Sequence, residues 1–344
     1  MRIRKITGPG PRGKSLRGRD FEHVIGLDWS ETTMAVGHIS TADSIPQVWE
    51  TKADIIRLQG FLKSLTGRII LTVEESTTSQ WLYGKLVAYV DRLIVCDPTF
   101  NRLLCRGPKN DLVDAGKLCL LLYHDSLKEV YHSTSKWYDL RLLVSAYDDT
   151  IRSGVAAQNR LKARLRARLT EGAAAKFVIE QLQDTIARYK QAKLEFEQEF
   201  HRWAKRTPLI RALAKLPGIG ERSAVKIVGT VIDARRFPTR RHYDSYCGLV
   251  WHKKQSGGNY YGRRRPQYSR LLKSVYKTAA LAAIHGQNEI ADYYKQLLAR
   301  GLAPYNARHA VARYLAHVCY GILKSGIPYD PNFKNTQSGK HNNS

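Results

Sequence analysis

The chain has 344 residues, of which 43% are apolar and 25% are charged, so it can form folded cores, and its length predicts about two domains. Lys and Arg total 56 against 30 Asp and Glu, a net charge of +26 that points to a polyanionic partner, either nucleic acid or an anionic membrane. No apolar run approaches the roughly 20 residues of a membrane span, and the first twenty residues lack the apolar block of a secretory signal. We therefore expect no integral-membrane, secreted or collagen-like protein.

The cysteines indicate a reducing compartment. There are five of them, an odd number without a CxxC pair: Cys96, Cys105, Cys119, Cys247 and Cys319. This usage argues against a disulfide scaffold or zinc ribbon and predicts a cytoplasmic protein.

Residues 1–20 are predicted to form a basic flexible arm. They contain seven Lys or Arg, a single acid and several Gly and Pro. Such an arm either lies along a phosphate backbone or serves as a disordered solubilising tail, and the sequence leaves both readings open. The last residues, 331–344, are predicted to be a disordered tail.

Residues 21–125 alternate between strand and helix patterns. Short apolar runs bounded by polar residues predict strands that are buried on both faces, and 3.6-residue periodicity predicts helices between them. Together they indicate an α/β layered domain. The predicted strands cover 23–28, 33–39, 68–74 and 92–97, and the predicted helices cover 53–65, 80–90 and 110–123.

The segment 126–205 is predicted to be helical, with a heptad stripe in its second half. This stripe predicts either a coiled coil between two chains or a helical hairpin within one chain. Upstream, residues 160–169 carry five cations and a leucine stripe that predicts one packed edge. The heptad positions are Ile179, Leu182, Ile186, Tyr189, Phe196, Phe200 and Trp203, with Lys193 as the exception.

Four acids stand out in this basic chain. Asp28 and Glu74 each close a predicted strand, and Asp111 and Asp114 lie on one face of a predicted helix. Carboxylates that converge repel one another unless a hard cation lies between them, and Mg²⁺ prefers oxygen ligands and suits phosphodiester chemistry. The alternative is that these are loop acids and helix first-turn charges. Glu75 alternates to the opposite face from Glu74.

The carboxy-terminal half is basic and rich in aromatic residues, which suits RNA or distorted DNA with stacked bases. The segment 216–224, Leu-Pro-Gly-Ile-Gly-Glu-Arg-Ser-Ala, resembles the hairpin of a helix-hairpin-helix motif that contacts phosphates, or else is an ordinary helix–helix turn. The predicted nucleic-acid-binding residues are Gly218, Gly220, Arg235, Arg236, Arg240, Arg241, Lys253, Lys254, Arg263, Arg264 and Arg265.

Ser256 is a candidate nucleophile. It precedes two glycines and is surrounded in sequence by cations. A serine hydroxyl can attack a phosphodiester once it is activated, although a serine before two glycines is also an ordinary turn.

Taken in order, these motifs resemble the DEDD transposases of insertion sequences, a family that includes bridge-RNA-guided recombinases and pilin-gene invertases. The resemblance covers about residues 22–330. It rests on the Asp…Glu…Asp-x-x-Asp set, the blocks 109–115 and 216–220, Tyr246-Cys247-Gly248-Leu249, Ser256-Gly257, and the closing segment 320–330.

The resemblance implies an RNase H/RuvC-like catalytic domain at 21–150, a helical coiled-coil region at 151–205 and a mainly α-helical transposase domain at 206–330. It also implies that Asp28, Glu74, Asp111 and Asp114 bind Mg²⁺ and that Ser256 forms a covalent link to DNA. The implied partners are donor and target DNA, a bridge RNA and further copies of the chain, as a dimer or a synaptic tetramer, in a bacterial cytoplasm near the nucleoid.

Two other functions remain open on the sequence. One is a RuvC-like nuclease or junction resolvase in which water replaces Ser256. The other is a non-catalytic nucleic-acid-binding protein whose acids are structural.

Overall fold

The computed structural model describes residues 18–40, 45–100, 110–264 and 266–330, without the side chains of Arg19 and Lys254. The chain divides into two units, residues 1–134 (unit 1) and 135–344 (unit 2). Most of the basic arm, residues 1–17, lies outside the described residues, as do Cys105, Arg265 and the tail 331–344.

Unit 1 is built on a six-stranded mixed sheet of order β3-β2-β1-β4-β5-β6. The strands β1, β4 and β5 are parallel, and β2, β3 and β6 run antiparallel to their neighbours. The elements are β1 (His23–Trp29), β2 (Thr33–Ser40), β3 (Gln47–Lys52), α1 (Ile55–Ser64), β4 (Ile69–Glu74), α2 (Ser79–Leu86), β5 (Arg92–Cys96), α3 (Asp111–Tyr123) and β6 (Glu129–Val130).

Helices cover both faces of this sheet. Because side chains alternate along a strand, Ile25 and Leu27 of β1 point to one face, where they pack with α1 and α2. Val24 points to the other face and packs with Cys119 and Leu122 of α3. The α/β layered domain is thereby confirmed. Within unit 1, strands β3 and β6 were not predicted, since β3 is a mostly exposed edge strand and β6 has two residues.

Unit 2 is mostly helical and has one large apolar cluster. Its elements are α4 (Trp137–Arg166), α5 (Ala173–Arg206), α6 (Pro208–Ala214), α7 (Glu221–Val231), α8 (Arg240–Tyr246), β7 (His252–Ser256), β8 (Asn259–Arg264), α9 (Arg270–Ile284), α10 (Glu289–Ala299) and α11 (Pro304–Ser325).

The long helices α4 and α5 pack against each other within the chain. Tyr189 of α5 lies against Gly154 of α4, where a Cβ at the glycine would be 3.2 Å from the tyrosine Cβ. Tyr147 of α4 contacts the rings of Phe196 and Phe200. The heptad stripe of α5 is partly or fully buried in this way, so the intramolecular hairpin is the arrangement present in the chain.

The tip of the α4–α5 hairpin is more exposed than the sequence pattern predicted. Leu165 and Leu169 are 50% and 57% exposed, so the leucine stripe of residues 160–169 does not form a packed edge.

The first residues of α4 and the last of α5 join the core of unit 2, with Leu140 and Phe200 fully buried. The helix α4 therefore runs through the boundary expected at residue 150, and unit 2 begins at residue 135.

No helix among the described residues is both long and apolar enough to cross a membrane.

Candidate carboxylate site and nucleic-acid interface

Asp28 and Glu74 lie on the face of the sheet that α3 covers. The parallel strands β1 and β4 pair with Leu27 beside Val73, so the next residue on each strand is one of the two acids. Asp28 and Glu74 are both half-buried, whereas Glu75 is exposed. The alternation of the strand has thus separated the two adjacent glutamates as expected.

Asp111 and Asp114 occupy the first turn of α3. The helix begins after Asn110, whose Oδ1 accepts a hydrogen bond from the backbone N–H of Leu112 at 3.0 Å. Asp114 also forms an ion pair with Lys117 at 3.7 Å. Acids in a first turn interact favourably with the helix dipole, so the position is stabilising as well as suited to a site.

A pair of glycines brings α3 close to the sheet. Gly26 and Gly37 are neighbours across β1 and β2. A Cβ at Gly26 would lie 2.5 Å from the carbonyl oxygen of Ala115, and one at Gly37 would lie 2.6 Å from the same atom. The motifs in the sequence did not point to these glycines. The one signal that could have found them is a glycine inside each of two strand patterns, which is typical of close backbone approach.

The four carboxylates interact electrostatically. The pKa of Asp28 is raised to about 6, first by burial and then by the negative charges of Asp111, Glu74 and Asp114, against a backbone hydrogen bond from Trp29 that lowers it. The fold therefore brings the four acids near one another, although they are up to 86 residues apart in the chain.

The donor chemistry of this cluster fits a hard cation, because it consists of carboxylate oxygens alone. Within the described residues, however, no group of three or more His, Cys, Asp or Glu side chains is close enough to hold a metal ion. Mutual repulsion, which the raised pKa of Asp28 reflects, opposes tighter approach of the carboxylates without a cation.

Ser256 lies at the tip of the β7–β8 hairpin. It is the last residue of β7, pairs with Asn259, and is followed by Gly257 and Gly258 with φ of 55° and 78°. These angles suit a two-residue hairpin turn that glycine adopts readily. The side chain is exposed, and within the described chain no side chain forms a hydrogen bond with its hydroxyl. The glycines thus have the turn role that the sequence left open.

The hairpin carries like charges opposite each other. Lys253 of β7 pairs with Arg263 of β8, which places two permanent positive charges opposite each other. Like charges directly opposite on two strands are destabilising, and an anion between them would offset the repulsion. Trp251, Tyr260 and Tyr261 are 48%, 55% and 64% exposed. A cationic hairpin with exposed rings is an arrangement that suits nucleic acid.

One cation that the sequence assigned to nucleic acid, and two aromatic residues of the same basic segment, have internal roles. Arg236 is half-buried, with its guanidinium 4.5 Å from the ring centroids of Phe237 and Tyr246. Tyr243 and Tyr276 are fully buried, and their hydroxyl groups form a hydrogen bond with each other. These aromatic residues are core residues, so the aromatic content of the segment reflects packing as well as surface.

Gly218 also has an internal role. Its φ is 83°, and a Cβ there would lie 2.3 Å from the carbonyl oxygen of Ala279 in α9. The glycine therefore allows α9 to approach the turn between α6 and α7. Gly220, the residue before α7, has open space around the position of a Cβ and stays a candidate for phosphate contact.

The remaining cations that were assigned to nucleic acid, and whose side chains the structure describes, are exposed. Arg240 and Arg241 begin α8, and Arg235 forms an ion pair with Asp233 at 3.1 Å. Arg235 is thereby partly neutralised.

The region around the β7–β8 hairpin is similar to a known protein family. Residues 210–295 match the family model described as "Transposase IS116/IS110/IS902 family". This region runs from α6 into α10 and includes Ser256, Gly218, Arg240 and Arg241.

Three curated relatives are similar to parts of the chain. The "Insertion element IS110 uncharacterized 43.6 kDa protein" of Streptomyces coelicolor is 29% identical over 154 residues, 44% of this chain. The "Pilin gene-inverting protein" of Moraxella lacunata and that of Moraxella bovis are each 22% identical over 121 residues, 34% of this chain. Each match spans 38% of the relative's own length. Residues 210–295 are therefore similar to the IS116/IS110/IS902 transposase family, and the chain spans well under half the length of the curated relatives that it matches.

Proposed function

We propose that this protein is the transposase or recombinase of an insertion sequence, with an RNase H/RuvC-like unit 1 that supplies a carboxylate site and a unit 2 that supplies a serine nucleophile. The proposal is carried by one observation, that the charges of Asp111, Glu74 and Asp114 act on the half-buried Asp28 at one end of a mixed sheet. It is supported by the match of residues 210–295, in the other unit, to a transposase family model.

In this proposal Asp28, Glu74, Asp111 and Asp114 would hold Mg²⁺, whose charge would offset their mutual repulsion. The ion supplies positive charge that stabilises the developing charge on a phosphodiester. Among the chain's own groups, Lys117 holds Asp114, and the glycine pair keeps α3 near β1 and β2.

The reaction of Ser256 is a transesterification. Its Oγ forms a bond to phosphorus, the P–O bond to the adjacent nucleotide breaks, and the serine proton ends on the departing hydroxyl. The phosphodiester is preserved as a serine–DNA link, so a second strand end can attack it and complete an exchange. We further propose that a bridge RNA pairs with donor and target DNA, and that the chain acts as an oligomer.

The alternative is a nuclease or junction resolvase in which water is the nucleophile. It is favoured by one observation, that no described side chain forms a hydrogen bond with the Ser256 hydroxyl.

The deciding experiment incubates the wild-type protein with labelled DNA carrying the element's end and Mg²⁺, and then denatures the mixture. A labelled protein band that Ser256→Ala lacks and the control Ser274→Ala retains supports the serine mechanism; Ser274 is an exposed serine of α9. Cleavage without a protein–DNA band would identify the water mechanism, and the absence of all cleavage would contradict both enzymatic proposals. Sequencing of the nucleic acid that co-purifies with the protein tests whether the protein binds a guide RNA.

A further inference from the structure

Unit 2 contains a cavity of about 470 Å³, and of its lining residues only Arg240 and Arg241 were assigned a role from the sequence. It opens between the start of α8, the first residue of β7 and the middle of α11. Its charged and polar lining residues are Arg240, Arg241, Asp244, His252, Arg313 and His317.

The cavity concentrates positive charge. Three arginines line it, and Asp244 is the one carboxylate among its described lining residues. Asp244 is already bonded to His317. Across the described chain, none of the three guanidinium groups has a carboxylate within ion-pair distance. Arginines that face one concavity repel one another, and an anion that accepts from several of them offsets this repulsion.

Asp244 and His317, which both line the cavity, are hydrogen-bonded to each other. Asp244 is 4% exposed, and its Oδ2 lies 2.7 Å from Nε2 of His317. Its other oxygen, Oδ1, is buried and accepts no hydrogen bond from any described residue. A buried carboxylate oxygen without a donor is costly, so a ligand that brings a hydroxyl or amino donor together with an anionic group would satisfy the whole cavity.

Positive charge continues from the cavity along α11. His309 lies one turn before Arg313 and bonds to the carbonyl oxygen of Leu249 at 3.0 Å. Burial lowers the pKa of His309 and the hydrogen bond with Leu249 raises it, while the positive charges of Arg313, Lys277 and Lys273 lower it further. These three cations, and not the imidazole, supply the positive charge along this face.

At the start of α11, Tyr305 is 64% exposed with the Lys277 ammonium 5.6 Å from its ring centroid. Residues 305 to 317 span roughly 18 Å of helix, so a chain of several nucleotides fits along this face.

The hairpin with Ser256 begins at this cavity. His252, the first residue of β7, lines the cavity and bonds to Ser245 of α8 at 3.0 Å. Ser256 is four residues along the same strand, or roughly 13 Å at 3.3 Å per residue. If a nucleic-acid strand is bound in the cavity, Ser256 is therefore only a few nucleotides away from the bound nucleotide.

We propose that this cavity binds a backbone phosphate of a single nucleic-acid strand, which Arg240, Arg241 and Arg313 hold while Asp244 accepts a hydrogen bond from the same nucleotide. The inference rests on the proposed function, because it adds an anchoring site for the strand that Ser256 attacks. The shared chemistry is a phosphate group, and a free phosphate ion is the other source to be distinguished.

The test compares wild-type protein, Arg313→Gln and Arg300→Gln in binding a 12-nucleotide fluorescent single strand at several salt concentrations. Arg300 is an exposed arginine between α10 and α11 that does not line the cavity. We expect Arg313→Gln to bind about tenfold more weakly at low salt, with the slope of log affinity against log salt reduced by about one, and Arg300→Gln to match the wild type.

Equal binding by the two variants would overturn the inference while leaving the proposed function intact. Failure of the wild-type protein to bind any nucleic acid would instead overturn the proposed function. A second arm follows the His317 ring by NMR as a trinucleotide or inorganic phosphate is added. Stronger binding of the trinucleotide supports a strand site, and equal binding of both would overturn it in favour of a free-phosphate site.

Discussion

Gly26 of β1 and Ala115 of α3 are in such close contact that a Cβ at the glycine would lie 2.5 Å from the alanine carbonyl oxygen. Asp28 is two residues beyond Gly26 on the same face of the sheet, and Asp114 immediately precedes Ala115. One backbone contact therefore holds the strand acid and the helix acids at a set distance.

Replacing either glycine should displace α3. We expect Gly26→Ala and Gly37→Ala each to lower the free energy of unfolding by about 1–3 kcal/mol, because the added methyl meets backbone that cannot rotate away. Activity per folded molecule should also fall, since the acids move apart. Urea unfolding and DNA cleavage measure the two effects.

Gly60 provides the matched control, as it lies inside α1 and an added methyl group there would have no atom within 4 Å. Gly60→Ala should raise the free energy of unfolding by roughly 0.5–1 kcal/mol through helix propensity. Unchanged stability and activity in Gly26→Ala would show that α3 tolerates the displacement and would contradict the positioning role of the glycine pair.

The pKa of Asp28 predicts a pH dependence of stability. Its folded value of about 6 lies above the ordinary value of 3.8, so the folded state binds more protons between these pH values. The contribution of Asp28 to stability is therefore most favourable below about pH 4 and declines as the pH rises to about 6. We expect Asp28→Asn to remove this decline and, in EDTA at pH 7.5, to raise the free energy of unfolding by on the order of 1–2 kcal/mol after allowance for partial exposure.

The same variant should be inactive, because the amide removes a carboxylate from the proposed cation site. Glu31→Gln, at an exposed carboxylate just beyond β1, should leave both properties unchanged. Loss of stability in Asp28→Asn, with activity in proportion to the folded fraction, would assign Asp28 a structural role. Addition of Mg²⁺ should stabilise the wild type more than the variant.

Mixing two inactive variants tests whether active sites are shared between chains. Ser256→Ala lacks the proposed nucleophile, and Asp111→Ala lacks one of the proposed ligands. If a site combines the serine of one chain with the acids of another, the mixture should regain part of the activity, since some sites contain both intact groups. Strand-exchange assays on mixtures in several ratios measure this, and no recovery from folded, assembled mixtures would contradict a shared site.

The positive charges of the β7–β8 hairpin predict that the affinity for nucleic acid depends on salt concentration. Arg263→Gln with Arg264→Gln should reduce the slope of log affinity against log salt by about two, because each arginine lost removes about one phosphate contact. A control with the same charge loss combines Arg152→Gln and Arg202→Gln, whose arginines are ion-paired on α4 and α5. An equal slope in the hairpin variant and the wild type would place these arginines away from nucleic acid.

The α4–α5 hairpin predicts that its stripe stabilises a single chain. Tyr189→Ala should lower the free energy of unfolding by about 2 kcal/mol, because it leaves a gap beside Gly154. The molar mass from light scattering should stay unchanged. A halved mass would show that the stripe also joins two chains.

Local patterns in the sequence determined the layered fold of unit 1, the helices and the candidate acids. Apolar strand runs such as 69–74 and the Asn110 cap of α3 depend on neighbours in the chain, so a sequence reading can find them. The same local reading placed Asp111 and Asp114 on one helix face and separated Glu74 from Glu75.

Only the tertiary structure decided which partners these elements meet. It paired the stripe of α5 with α4 of the same chain, left Leu165 exposed, and assigned Arg236 and Tyr243 to packing. It also joined Asp244 to His317, which are 73 residues apart, and placed Gly26 under Ala115. Such contacts depend on long-range packing geometry, which a spacing pattern along the chain does not encode.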